Sequence, residues 1–334
     1  MAQAYFAGVH TGRGYEHFLE QLRPEGEGTR VCVVRGALGT GREALLGRLA
    51  DTWTRMGRAV TRYEGAEGDG RLIAVVSGEW AALDGAAPHM LEALPGERTV
   101  DLSAALELDA LKAERAEAMR LYQRMRGLHR RAWRCLQVAH TAWSDSAAIY
   151  AEAVDAGALC NLRMELIRWM DGSAGKRQPA FGQAVTAAGV REHLDSLERE
   201  HIVCLDLPWG FDPDSVLYPV SVALQTRGMG ARTVMQPLDG GRLNHLCTES
   251  HAVVCFCETG KETRSLTLDA AVLRREQDAL AFNRAAYDLW LRQGMEALAA
   301  ARECAAGLER LVADTVNRDR QAELFAQAEE AFGR

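Results

Sequence analysis

The chain has little of what would mark it for a membrane, a nucleic acid or a disulfide scaffold. Across its 334 residues no apolar run approaches the about 18 residues that a membrane span needs. The opening stretch MAQAYFAGVHTGRGYEHF has neither a basic leader nor an apolar segment behind it, so no secretory signal is expected. Positive charge is not in excess. Lys and Arg number 39 against 46 Asp and Glu, a net charge of −7, which argues against a nucleic-acid coat because phosphate binding needs a positive field. Cysteines are few and scattered, eight in all. Most sit among apolar neighbours, as Cys32 in RVCVV and Cys204 in HIVCL, and read as small buried hydrophobes. The one close pair is Cys255 and Cys257, which would share a strand face and could react or hold a metal. Zinc normally takes four ligands, however, and no second pair is spaced to complete the set.

What remains is the composition of a globular protein, 48% apolar and 25% charged. It is long enough for two domains or one large one. A soluble, cytoplasmic protein is the expectation, with no membrane and no nucleic acid among its partners.

The sequence partly repeats itself. Phe6–Leu22 lies on Phe181–Leu197 without a gap, matching Phe6/Phe181, Thr11/Thr186, Gly14/Gly189, Leu19/Leu194 and Leu22/Leu197. An apolar, β-branched run follows in each half, Val31–Val34 and Ile202–Leu205, which reads as a buried parallel strand. At an offset of 171, Gly39 falls on Gly210, Gly57 on Gly228, and Gly70-Arg71-Leu72 on Gly241-Arg242-Leu243. After each core comes a helical region. Residues 101–170 have no proline, and Leu121, Met125, Leu128 and Leu136 recur at helical spacing. In residues 269–332 the spacing is kept by Leu280, Tyr287, Leu291, Met295, Leu298, Leu308, Leu311 and Val312. Some of these amphipathic helices are long enough for antiparallel hairpins. Gly172–Pro179 is the linker candidate. The expected architecture is α/β, with two tandem parallel-sheet cores, each followed by long helices. Residues 1–175 form the first half and 176–334 the second.

One segment carries chemistry. The strand Val31–Val34 runs into Gly36-Ala-Leu-Gly-Thr-Gly-Arg-Glu43, and an apolar-striped helix follows with Leu45, Leu46, Leu49 and Trp53 on one face. The phosphate-binding loop pattern is G-x-x-x-x-G-K-[ST] between a strand and a helix. Gly36 and Gly41 match it, and Gly39 and Thr40 fill its interior. Such glycines let backbone N–H groups turn inward around phosphate oxygens, and the helix N-terminus adds its positive end. The lysine position is Arg42 and the Ser/Thr position is Glu43. Arginine keeps the charge in another shape. A glutamate near a triphosphate is repelled by roughly 4 kcal/mol per charge pair at 4 Å and an effective dielectric near 20. Weak or metal-altered nucleotide binding with little or no hydrolysis is expected. The equivalent second loop, Asp206–Ser215, keeps only Gly210, and Asp212-Pro213-Asp214 reads as a helix start whose acids fill the place of a phosphate. Pro219 is expected to kink that helix or to confine it to a short segment.

These residues resemble a group of bacterial proteins with two tandem P-loop ATPase-like halves, whose members carry GGPGTGKST in each half. Those members also have a stretch like DGTAPH, a proline-glycine turn and an apolar segment. Here these stand as Asp84-Gly-Ala-Ala-Pro-His89, Leu94-Pro-Gly96 and Thr99-Val-Asp-Leu102, with Ala86 at the threonine position. The resemblance implies a P-loop NTPase fold, and ATP or another nucleotide with Mg²⁺ as the cofactor of members with intact loops. Asp84 ends a short apolar run, where such a fold holds its magnesium; the alternative is that it caps the turn with Gly85. His89 contacts phosphate or substrate, or else fixes its own loop. Arg120, Arg124, Arg131 and Arg134, with Arg126 and Arg130 beside them, form a basic stripe that binds nucleic acid or reaches a nucleotide, or else is a solvated face. The competing function is a non-enzymatic pseudo-NTPase scaffold whose helical regions bind partner proteins.

Overall fold

The computed structural model describes residues 3–67, 71–256 and 262–332. The first half runs β1 (Gln3–Thr11), β2 (Gly14–His17), β3 (Arg30–Arg35), α1 (Arg42–Arg55), β4 (Thr61–Gly65), β5 (Arg71–Ser77), β6 (Trp80–Asp84) and β7 (Arg98–Asp101). It ends with the helices α2 (Leu108–Ala113), α3 (Arg115–Ala153) and α4 (Ala156–Trp169). The second half runs β8 (Arg177–Phe181), β9 (Gln183–Thr186), β10 (Gly189–Glu192), β11 (His201–Asp206), α5 (Asp214–Thr226), β12 (Ala231–Gln236), β13 (Asp239–Cys247), β14 (His251–Cys255) and β15 (Glu262–Ser265). It closes with α6 (Ala270–Arg275), α7 (Gln277–Ala313) and α8 (Arg318–Phe332). The second part of the linker candidate is strand β8.

Among the described residues the main sheet has 13 strands, in the order β15-β11-β14-β13-β12-β8-β1-β4-β5-β6-β3-β7, with β2 paired to β1. The order on one side of the β8–β1 seam mirrors that on the other. At the seam the strands are antiparallel and Phe6 lies opposite Phe181, the two residues that open the sequence repeat. The expectation of parallel cores needs amendment. β3 is parallel to β6 and β7, and β11 to β14 and β15, but β4-β5-β6 and β12-β13-β14 are antiparallel meanders. The turn between β5 and β6 is only Gly78-Glu79, with Gly78 at φ +59°. That is too short for the crossover that parallel strands need.

The helices exchange places. α3 and α7 pair antiparallel: Gly307 sits beside Leu121 and Gly294 beside Leu136, while Asn283 donates to Asp145 over 2.7 Å. Each runs as one long rod, not as a hairpin, and carries the following helix to the opposite half. α4 therefore packs on α5, with Leu162 and Leu166 in one core with Val216, Leu217 and Val220. α8 packs on α1, with Phe325, Ala328 and Phe332 against Leu45, Leu46, Leu49 and Trp53. Burying a side chain the size of Phe325 or Phe332 contributes about 1.5–3 kcal/mol. The indole N–H of Trp53 donates to the Phe332 carbonyl over 3.1 Å.

α5 continues through Pro219 instead of stopping there. Proline has no N–H, so the carbonyl four residues earlier, Ser215, has no intrahelical donor. Arg163 of α4 supplies two, Nε at 3.0 Å and Nη2 at 2.6 Å. Arg163→Ala is expected to cost about 1–3 kcal/mol in urea unfolding. The cost should shrink in a Pro219→Ala background, where residue 219 regains its N–H. An equal cost in both backgrounds would place the role of Arg163 elsewhere.

Candidate functional site

The loop after β3 is curled. Gly36, Gly39 and Gly41 have φ of +146°, +86° and +87°, a region that side-chain-bearing residues avoid. The Thr40 amide donates to the Ala37 carbonyl at 3.3 Å, and its hydroxyl to the same oxygen at 2.8 Å. α1 begins at Arg42, so its first-turn amides face the loop without intrahelical partners. Two helices close over the loop's outer side. A Cβ at Gly39 would fall on the Glu309 carbonyl of α7, and one at Gly41 on the Gln321 side chain of α8. Gln321 donates to the Thr40 carbonyl at 2.8 Å.

Arg42, 3% exposed, is ion-paired with Asp84 at the end of β6. Asp84 also accepts from the Ala86 amide at 2.9 Å, so it caps its turn as well as holding the arginine. Burial still pushes the Asp84 carboxyl upward, with Arg42 as the main opposing influence. Glu43 turns outward, half exposed, towards the Leu72 amide at 3.4 Å and Arg71 at 4.0 Å. This set does not suit magnesium. Position 43 offers an outward-turned glutamate and no hydroxyl, and the Arg42 guanidinium already neutralises Asp84. Among the described residues no group of three His, Cys, Asp or Glu is placed to hold a metal. Cys255 is buried with its thiol pushed well up by desolvation; Cys257 lies outside the described residues.

Further residues converge here from distant parts of the chain. Glu309 bridges Arg71, at 2.8 Å, and Arg302, at 3.1 Å. A cavity of about 580 Å³ opens at the start of α1, lined by Gly39, Gly41, Glu43, Arg302, Glu309 and Arg310. A second, of about 690 Å³, lies between the β3 loop and the α3–α7 pair. Arg42, Arg71 and Arg302 line both. Behind them, burial and the neighbouring Asp84 raise Glu67 to about 8. Burial raises Tyr15 well above its ordinary value, with Glu67 and Asp84 adding to it, and lowers His10 to about 3. His89 is held neutral by burial, its ring set edge-on between Tyr15 and His17. Its backbone amide closes the turn on Ala86 at 2.9 Å, while its ring nitrogens have no hydrogen-bond partner among the described residues.

The second loop is filled. A Cβ at Gly210 would meet Ser146 of α3 at 2.7 Å. Asp212 accepts from the Asp214 amide at 3.2 Å and is ion-paired with Arg242. Asp214 accepts from the Leu243 amide at 2.9 Å, the counterpart of the Glu43–Leu72 contact in the first half.

Sequence reasoning located Gly36 to Glu43, Asp84 and His89, and the fold brings all of them to one end of β3 and β6. It missed Arg302, Arg310 and Glu309, which no local pattern links to the loop because α7 arrives from the other half. It also gave no role to Glu67, Tyr15 or Arg71, although Arg71 lies in the repeated Gly-Arg-Leu. Of the basic stripe, Arg120 is exposed and paired with Glu117, whereas Arg126 lines the larger cavity. Compared with known proteins, the chain matches no family model, no curated protein and no solved structure.

Asp84→Asn leaves Arg42 buried without a counter-ion and should destabilise the fold by about 3–5 kcal/mol; the double variant Arg42→Met, Asp84→Asn should recover most of that in denaturant titration. Glu67 holds its proton in the folded state up to about 8 and loses it near 4.5 when unfolded. Its contribution to stability is therefore full below pH 4.5, falls as pH rises to 8, and is flat above. Glu67→Gln should flatten that slope in unfolding free energies measured across the range.

Proposed function

We propose that the chain is a tandem P-loop NTPase-fold protein whose first half binds a nucleotide by its phosphates at Gly36–Glu43, with hydrolysis weak or absent. The observation that carries this reading is the curled glycine loop opening α1, faced by Arg71, Arg302 and Arg310 across a cavity of about 580 Å³. Arg310 makes no ion pair with another described residue. Backbone amides, a helix N-terminus and guanidinium groups together favour an anion of phosphate geometry. The resemblance around Asp84–His89 supports the same assignment.

Turnover lacks its means. Arg42 is spent on Asp84, and Glu43 repels the oxygen that a hydroxyl and metal would hold. Phosphoryl transfer relies on positioning and on cations that neutralise developing charge, and the loop offers only its amides and the facing arginines. Such a site retains a nucleotide as a ligand. A second reading, a non-enzymatic scaffold, is favoured by Phe282, Leu289 and Trp290, which stand exposed along α7.

Titration calorimetry with ATP, with and without Mg²⁺, is expected to give saturable heat that hardly depends on the metal. Gly41→Asp should abolish it, with folding checked by circular dichroism because a side chain here crowds Gln321. Arg302→Ala should weaken it roughly tenfold, the loss of about one charge-assisted hydrogen bond. Phosphate release should stay at the uncatalysed background. No heat at millimolar ATP would remove the nucleotide reading and leave the scaffold.

A further inference from the structure

The larger cavity does not resemble a phosphate site. Its walls are mainly apolar, with Leu38 from the loop, Met119 and Met125 from α3, and Leu298, Ala305 and Leu308 from α7. Its volume of about 690 Å³ is within the ordinary range for small-molecule sites. Arg115, Met119, Tyr122 and Arg126 are exposed at its mouth.

Its charged lining is mostly cationic, although Arg42 is paired with Asp84, and Arg71 and Arg302 with Glu309, from outside the lining. Five arginines line it: Arg42, Arg71, Arg115, Arg126 and Arg302. Glu67 is the lone acid among the described lining residues, and burial keeps it protonated at neutral pH. Arg42, 3% exposed, lines the cavity with an Nε that has no partner. The Nε of Arg71 is buried and makes no hydrogen bond, with Glu43 4.0 Å away as its ion-pair partner. Orphaned donors in an apolar chamber are costly unless something accepts from them.

We propose that the chamber between α3 and α7, which shares the inner wall of the β3 loop but is distinct from the cavity at the start of α1, is a binding site for a small apolar molecule carrying one anionic group, its acid held by the arginines on the β3 side and its body by the two helices. The proposal does not depend on the loop holding a nucleotide. The two sites share Arg42, Arg71 and Arg302, so occupancy of one alters the electrostatics of the other without the two ligands overlapping.

The test uses the full chain and the fluorescent probe 1-anilinonaphthalene-8-sulfonate, an aromatic body with one sulfonate. Expected is saturable one-to-one enhancement by the folded protein, displaced by decanoate. Decanol, which has the chain without the charge, should displace roughly tenfold less well. Ala305→Phe fills the chamber from α7 and Ala118→Phe from α3; each should weaken the probe roughly tenfold or more and leave ATP titrations unchanged. Gly41→Asp should do the reverse. The second filling variant keeps the test decisive if the first fails to fold. Absence of saturable binding, binding that neither filling variant alters, or equal displacement by decanol and decanoate would overturn the proposal. So would competitive displacement by ATP, which would make the chamber part of the nucleotide's own site.

Discussion

The antiparallel pairing of α3 and α7 governs the rest of the molecule. Two helices of 39 and 37 residues span both halves, and their close approach depends on Gly294 and Gly307, where a Cβ would meet Leu136 and Leu121 at 2.9 and 3.0 Å. Because each rod crosses the seam, each delivers a helix to a core it does not follow in sequence. The site inherits this arrangement. Glu309 and Arg302 face the β3 loop only because α7 comes back to the first half, and the α3–α7 chamber exists only because the two rods stand over that loop.

The Arg42–Asp84 pair shows how the same geometry changes chemistry. In a P-loop protein a lysine and an acid face a triphosphate and its cation; here Arg42 reaches Asp84 and neutralises it. A buried pair is weak evidence for stability, yet breaking one partner is expensive, so neither residue can change alone without cost. In the second half the same logic goes further: Arg242 and Asp212 pair across the loop mouth, and Ser146 closes on Gly210.

Much of the local structure was legible from residues. The β-branched runs at Val31–Val34 and Ile202–Leu205, the glycines of the β3 loop and the stripe on α1 follow from periodicity and positive φ. The Phe6/Phe181 correspondence was legible too, although not that the two residues would face each other across a seam. What sequence could not carry was long-range and electrostatic. Nothing local to Glu67 indicates a carboxyl that keeps its proton, because its environment comes from Asp84, Arg71 and burial. The exchange of α4 and α8 was equally hidden, since an amphipathic stripe says which face is covered and not by which half. Pro219 misled for the same reason: the donor that rescues its helix, Arg163, lies 52 residues upstream of Ser215, on α4.

The exchange also has a consequence for how the chain can be divided. Cutting it between Met170 and Lys176 would seem to yield two natural pieces. Yet the N-terminal fragment would carry α1 with Trp53 stripped of its Phe332 partner, and the C-terminal fragment would carry α5 with the Ser215 carbonyl bare. Neither piece is a self-sufficient domain. They are complementary parts, each holding the lid of the other, so separately produced fragments would have to find one another before either had a finished interior.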